Sequence, residues 1–420
     1  MRVKLIIQLG FLSAFNLGLA FISQWYVLAQ LGPGSQTDAL FAGMTIPQFV
    51  LAVMSGSLMH VLVPLLAGEN EDRFRHDSWG FFLLVGGLFS FLAIALYVLA
   101  PIWVPLTVPG FDAGAKALTI KLTRIQLIGM VFTALNGVQW AVYHARQRFL
   151  WAEFTPILSS TFALLLLIWA LPRYGVISAA WISTLRMGLQ TLLLAPGMGS
   201  PVRPNLKSPS IRQAWQRIKP LLLGTAYYKT DPLVDRFLLS TAGSGSLSLF
   251  YLAQQLYGAA SQVLNKAIAA PLVPALSQLH KAGDTAGFRK AYYRKLWQVG
   301  AFSLGGLLVL AFFGQALFGL LGGYGRLSNQ NLHLLWLMML LMSGQFVIGN
   351  LGTIMTSMFY SRGDTKTPTA VGMVSYTLGV VVKIAMFTIW GPLGLALGVS
   401  IYYSISLFLM TRKISEKNYV

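Results

Sequence analysis

The chain has 420 residues, of which 55% are hydrophobic and only 10% charged, and its mean hydropathy is +0.65. Soluble domains carry roughly 25% charged residues, so this composition excludes a soluble globular enzyme, a disordered chain and a disulfide-built secreted module. With no cysteine there is no thiolate chemistry. The net charge of +19 is assigned to cytoplasmic loops and an anion-handling interior rather than to nucleic acid.

A helix needs about 20 apolar residues to cross the hydrocarbon core. In chain order such runs fall at 5–30, 38–67, 79–105, 120–143, 152–171, 175–196, 218–241, 247–277, 296–321, 331–359, 369–390 and 393–411. They predict an all-α polytopic membrane protein with about twelve transmembrane helices. The first run follows the basic start Met1-Arg2-Val3-Lys4 but lacks a small-residue cleavage site, so it reads as a retained span. Basic residues crowd alternate loops: Arg73 and Arg75, Arg146 and Arg148, Arg203 to Lys219, Lys281 to Lys295, Arg362 and Lys366, and Arg412 to Lys417. The intervening loops hold only Lys116, Arg173 and Arg326. The positive-inside rule then places both termini in the cytoplasm.

Lys121, Arg124, Arg186, Lys229, Arg236, Lys266 and Lys383 lie inside the expected spans, with Asp38, Asp231 and Asp235 at comparable depth. Lys121, and to a lesser degree Arg124, lie near a span end, where long side chains snorkel to the headgroups. The others point to a water-filled central cationic cavity, because an ionisable group at the bilayer centre costs about 3 kcal/mol or more.

A weak repeat divides the chain. Leu62-Val63-Pro64-x-Leu66 recurs as Leu272-Val273-Pro274-x-Leu276, and Leu40-Phe41 as Leu249-Phe250, both about half a chain later. The expected organisation is an N-terminal six-helix lobe over 1–196, a basic cytoplasmic linker over 197–217 and a C-terminal six-helix lobe over 218–420. Pro47, Pro156, Pro232 and Pro271 are candidate kinks. Pro232 stands among Lys229, Asp231, Asp235 and Arg236. Gly394-x-x-x-Gly398 suggests close helix packing.

Enzymatic chemistry finds no support. There is no Gly-Lys pair, hence no Walker A loop, and the five histidines are scattered without metal-ligand spacing. No cofactor or metal is expected, beyond a coupling Na⁺ or H⁺.

Three stretches carry a resemblance. They are Thr37-Asp38-Ala39-Leu40-Phe41 with Ile46-Pro47-Gln48 and Val63-Pro64; Val234-Asp235-Arg236-Phe237-Leu238-Leu239-Ser240; and Tyr360-Ser361-Arg362-Gly363-Asp364-Thr365-Lys366-Thr367-Pro368. Together they resemble the MurJ/MviN family of lipid II flippases, in the superfamily that also holds polysaccharide flippases and MATE-type multidrug exporters. The chain looks like a divergent member: Asn16 to Gln24 holds no arginine, Leu51-Ala52 stand where the family often has Arg-Arg, and Gln254-Gln255 replace a typical Asp-Arg. The resemblance implies a flippase of the bacterial cytoplasmic membrane. Its cargo would be an undecaprenyl-pyrophosphate-linked saccharide, lipid II or a related envelope precursor, with membrane lipids and envelope biosynthesis proteins as partners and no nucleic acid. Asp38, Asp235 and Arg236 match functional family positions. Arg236 is the expected primary pyrophosphate contact, supported by Lys229, Lys266, Lys383 and Arg124. Gln48, Gln255 and Asn16 are candidates for sugar hydroxyls, and Asp235 or Asp231 for ion coupling or charge pairing. The alternatives are a cation-coupled multidrug exporter and a non-transporting scaffold of an envelope synthesis complex.

Overall fold

The structure is a computed structural model that describes residues 3–54, 58–204, 208–269, 271–322 and 325–417. Arg2 and Lys207 of the basic loops lie outside the described residues, as do the side chains of Lys4, Arg217 and Lys219. Every regular element among the described residues is helical, as the sequence predicts. The α-helices are α1 (Val3–Leu31), α2 (Ser35–Gly43), α3 (Thr45–Met54), α4 (Leu58–Leu66), α5 (Glu71–Thr107), α6 (Ala113–Ala145), α7 (Phe149–Tyr174), α8 (Val176–Leu194), α9 (Pro209–Ala226), α10 (Asp231–Ser240), α11 (Ser246–Leu264), α12 (Leu272–Lys281), α13 (Thr285–Gly322), α14 (Asn329–Leu341), α15 (Ser343–Ser361) and α16 (Lys366–Glu416). They divide into two units, Met1–Thr241 and Ala242–Val420.

Nine helical stretches among the described residues are long and apolar enough to cross a membrane. The runs expected at 218–241 and 247–277 are not among them, because each is broken. The first divides into α9, a 3₁₀ turn at Tyr228–Thr230 and α10. The second divides into α11, a π turn at Asn265–Ala269 and α12. The last two runs form one element, α16, which breaks at Gly391 (φ 58°) before Pro392. A β-carbon at Gly398 would stand 3.0 Å from the Lys383 Cα, fifteen residues back, so the arms fold onto each other as a hairpin. Gly394 packs just as closely against the Met386 carbonyl, in keeping with the small-residue spacing.

In the first unit α6 is the hub, packed on α2, α4, α5 and α8. Its Leu122, Ala134, Val138, Ala141 and Val142 are wholly shut off. Polar side chains tie it to α8: Asn136 Nδ2 donates to the Met187 carbonyl at 3.2 Å, Gln139 Nε2 to Thr191 O at 3.0 Å, and Thr184 Oγ1 to Ile125 O at 3.1 Å. Such bonds hold helices where lipid removes the hydrophobic drive to associate. Phe91, Ile94, Val98, Ile102 and Leu106 cover the outside of α5, a lipid-facing surface. In the second unit α15 has the same central place, against α11, α12, α13 and α16.

The repeated motif is built alike in both units. Leu62 and Leu66 seat α4 in a core with Phe74, Phe81 and Val138. Leu272 and Leu276 seat α12 in a core with Phe288, Ile354 and Phe359. Each motif thus forms a short helix seated in the core of its unit.

Candidate substrate site

Backbone breaks decide where the ionisable residues of the first unit sit. Pro232 lies at the start of α10, where a missing N–H costs nothing, so it opens that helix and does not kink a longer one. Lys229 falls in the preceding 3₁₀ turn and is exposed. Lys229 and Arg236 therefore do not share one helix. Asp231 is half-buried at the first turn, while Asp235 and Arg236 are 0% and 4% exposed. At that burial Arg236 is no snorkelling side chain.

The end of α10 is clamped by the loop between α5 and α6. The Gly110 N–H donates to Ser240 Oγ at 3.3 Å, and a β-carbon at Gly110 would meet the Ser240 carbonyl at 2.4 Å. Only glycine permits that approach. The helix also packs on α3, which carries the exposed Gln48.

Asp38 is 3% exposed in the first turn of α2, where the helix dipole favours a carboxylate. Thr37 fixes that turn, its hydroxyl accepting from the Gly34 N–H at 3.0 Å and donating to the Gly32 carbonyl at 3.0 Å. On α6, Gln126 Nε2 donates to the Leu40 carbonyl at 3.1 Å. Arg124 is half-buried, its Nε donating to the Tyr97 carbonyl at 3.2 Å and its guanidinium 4.7 Å from the Tyr97 ring. Lys121 is exposed on the same helix. Asn16 accepts from Ser160 Oγ at 3.2 Å, a bond between helices.

In the second unit Lys266 is exposed within the π turn, a widened turn that recurs at functional sites. Gln255 Nε2 donates to the Tyr251 hydroxyl at 2.7 Å. Lys383 is 1% exposed, with its ammonium 5.7 Å from the Tyr402 ring. Asp231, Asp235, Arg236, Lys229, Asp38, Gln48 and Arg124 thus share the first unit, and Lys266, Lys383 and Gln255 share the second.

The most distinctive sequence stretch builds a joint. Gly363 (φ 76°) ends α15, with its N–H donating to Tyr360 O and that of Asp364 to Phe359 O, both at 3.0 Å. Asp364 accepts from the Thr367 N–H at 3.0 Å, the Thr367 hydroxyl at 2.7 Å and Lys417 Nζ at 2.6 Å. Burial by itself raises the Asp364 carboxyl, but these bonds outweigh it and hold the group well below the usual carboxylate range. Sequence reasoning gave no role to Asp77, 3% exposed near the N-terminal end of α5. It lines a cavity of about 920 Å³ with Arg73, His76 and Arg203; the Arg-His-Asp cluster at a loop–span boundary was its signal.

The family profile described as lipid II flippase MurJ matches residues 27–419. The chain belongs to the MurJ family. A lipid II flippase MurJ of Burkholderia cenocepacia is 24% identical over 91% of this chain and 78% of its own length. A probable lipid II flippase MurJ of Vibrio cholerae is 24% identical over 94% and 79%. Among solved structures, an inward closed lipid II flippase MurJ superposes with TM-score 0.84 at 16% identity, covering 98% of this chain and 89% of that one. An inward-facing MATE family multidrug resistance transporter of the MOP superfamily gives 0.79 at 16% identity, covering 96% and 95%. The helical membrane fold is therefore that of this family and its superfamily neighbours.

Proposed function

We propose that this chain moves an undecaprenyl-pyrophosphate-linked saccharide, lipid II or a close relative, from the inner to the outer leaflet of the bacterial cytoplasmic membrane, with both termini in the cytoplasm. The MurJ match over 27–419 carries the reading. The buried Asp235–Arg236 pair on a short helix that follows a break supports it.

A pyrophosphate and its sugars cannot enter hydrocarbon without losing hydrogen bonds to water worth several kcal/mol each (about 2–7). A polar route for the head, with the tail left in lipid, removes that barrier. Arg236 has the planar donors that match phosphate oxygens. Asp235 holds its charge in balance until the anion arrives. Lys229, Lys266, Lys383 and Arg124 add positive potential, and Asp38 orients the entrance of α2. Gln48 and Gln255 are amides for sugar hydroxyls. With the cytoplasm negative, outward passage of two negative charges is favoured by about 4.6 kcal/mol per 100 mV. Asp231 or Asp235 would carry a coupling Na⁺ or H⁺.

Reconstitution tests the proposal. Proteoliposomes loaded with a fluorescent undecaprenyl-pyrophosphate saccharide should expose it to an outside quencher only when the protein is present, faster with a potential negative on the cytoplasmic face. Accumulation of a cationic dye with no lipid movement would overturn the reading in favour of an exporter, and neither activity in folded protein would favour a scaffold.

A further inference from the structure

A cavity of about 140 Å³ lies wholly inside the first unit, bounded by α1, α2, α7 and α8. Arg186 lines it, about 12–15 Å along α8 from either end at 1.5 Å per residue. Among the described residues its guanidinium makes one side-chain hydrogen bond, donating from Nη1 to Ser160 Oγ at 3.4 Å. No carboxylate among the described residues pairs with it, and no acidic residue lines the cavity. A guanidinium carries five N–H donors and cannot be neutralised by losing a proton. The cavity therefore holds a full positive charge, deep in the membrane, with most of its donors unspent.

The other polar groups on the wall define what answers that charge. The Ser23 hydroxyl donates to Leu19 O at 2.8 Å, Ser160 to Asn16 Oδ1 at 3.2 Å and Ser183 to Ala180 O at 2.8 Å, so all three protons are committed. Gln24 makes no side-chain hydrogen bond among the described residues, and it also lines the cavity. The remaining wall is apolar, including Val27, Leu40, Phe41 and Leu167. Two donor groups with greasy walls suit a small, weakly hydrated, singly charged anion. They do not suit a phosphate, whose oxygens need many donors. The volume leaves room for about five waters, enough for a halide with part of its shell.

We propose that this cavity is a chloride-type anion site, with Arg186 as its counter-charge and Gln24 as a second donor. It is separate from the substrate residues on α10, and does not depend on the flippase reading. Bound anion neutralises an otherwise unpaired, half-buried charge within the span, so occupancy stabilises the first unit.

The test is thermal unfolding of the purified full chain in detergent, in bromide against gluconate at equal ionic strength and pH. Wild-type Tm should rise saturably with bromide, by about 2 °C or more. Arg186→Gln should lose that rise and be at least as stable as wild type in gluconate, because the lone charge is gone. A wild-type Tm indifferent to the anion, or a rise that persists in Arg186→Gln, overturns the proposal. Crystals of wild-type protein grown in bromide give an independent measurement. An anomalous peak beside the Arg186 guanidinium is expected, and its absence likewise overturns the site even if the variant fails to fold.

Discussion

Apart from Asp77, near the start of the long α5, the two units keep their buried charges in different settings. In the first, Asp38, Asp235 and Arg236 sit on α2 and α10, helices of nine and ten residues bounded by breaks. In the second, Lys383 sits mid-arm in α16, under Gly398 and against the Tyr402 ring. In a helix this short the first N–H groups and the last C=O groups, which have no partner within the helix, make up nearly half of the total and are available to a ligand or to a neighbouring loop. A long arm has its backbone satisfied internally and offers a ligand only side chains. On the proposed reading, anion handling by direct contact falls to α10, and a supporting field to Lys383.

The sharpest way to break that comparison is to remove one charge from each setting. Arg236→Ala should lower flipping by about 100-fold or more, the loss expected when a charge-assisted phosphate contact disappears. Lys383→Met should cost roughly tenfold or less, since a potential without contact is worth less than a hydrogen bond. Both are read in proteoliposomes after confirming insertion. Equal losses, or near-normal flipping by Arg236→Ala, would remove α10 from its privileged place.

A second substitution acts on the clamp instead of the charge. Gly110→Ala drives a methyl into the backbone of Ser240 and Thr241, which cannot give way as a flexible side chain would. Overpacking of this kind costs about 1–3 kcal/mol. Flipping should fall by an intermediate amount while the charge inventory stays intact. If the rate is untouched although Tm drops, the end of α10 does not need its clamp.

Much of this was legible beforehand, for identifiable reasons. Hydropathy found a run behind each of the nine candidate spans among the described residues, because lipid demands about twenty apolar residues whatever the packing. The breaks were less visible. Pro232 and Pro271 marked them, but proline signals a helix start as readily as a kink, and only packing chose between the two. The burial of Arg236 and Lys383 against the exposure of Lys229 and Lys266 was illegible, because it depends on which face meets a neighbour after those breaks turn the chain. The Gly363–Asp364 stretch was prominent in sequence for its joint, a structural reason that a motif does not announce.

That joint supplies the next contrast. Asp364 binds the first turn of α16 and reaches Lys417, an arrangement among the described residues of the second unit. Asp364→Ala should cost about 0.5–2 kcal/mol, as for other caps, with the half-exposed Lys417 adding little. The gap between wild type and Asp364→Asn should also depend on pH. The folded carboxyl lies below its unfolded value of about 3.9. Its contribution is therefore complete above that value and declines as pH falls toward the folded one. Tm compared between pH 6 and pH 3 should show the gap narrowing with acid; a gap that widens would place the carboxyl's stabilisation elsewhere.

The smallest effect comes from the same turn built twice. At the end of α6 the Gln147 N–H donates to His144 O at 3.0 Å and the Arg148 N–H to Tyr143 O at 2.9 Å, the pattern that Gly363 and Asp364 make after α15. Both turns place one residue in the left-handed region, at φ 57° for Gln147 and 76° for Gly363. A side chain there crowds its own carbonyl, which glycine avoids. Gln147→Gly should therefore stabilise the first unit by about 0.5 kcal/mol, the relief of strain being partly offset by the greater freedom of glycine in the unfolded chain. Gly363→Gln should destabilise the second by about 1 kcal/mol. Flipping should not change with Gln147→Gly, which touches none of the proposed substrate contacts. Opposite signs in the two Tm shifts would show that the units use one helix-ending geometry with unequal fit. Shifts of the same sign would mean that the Gln147 side chain makes a compensating contact that glycine forfeits.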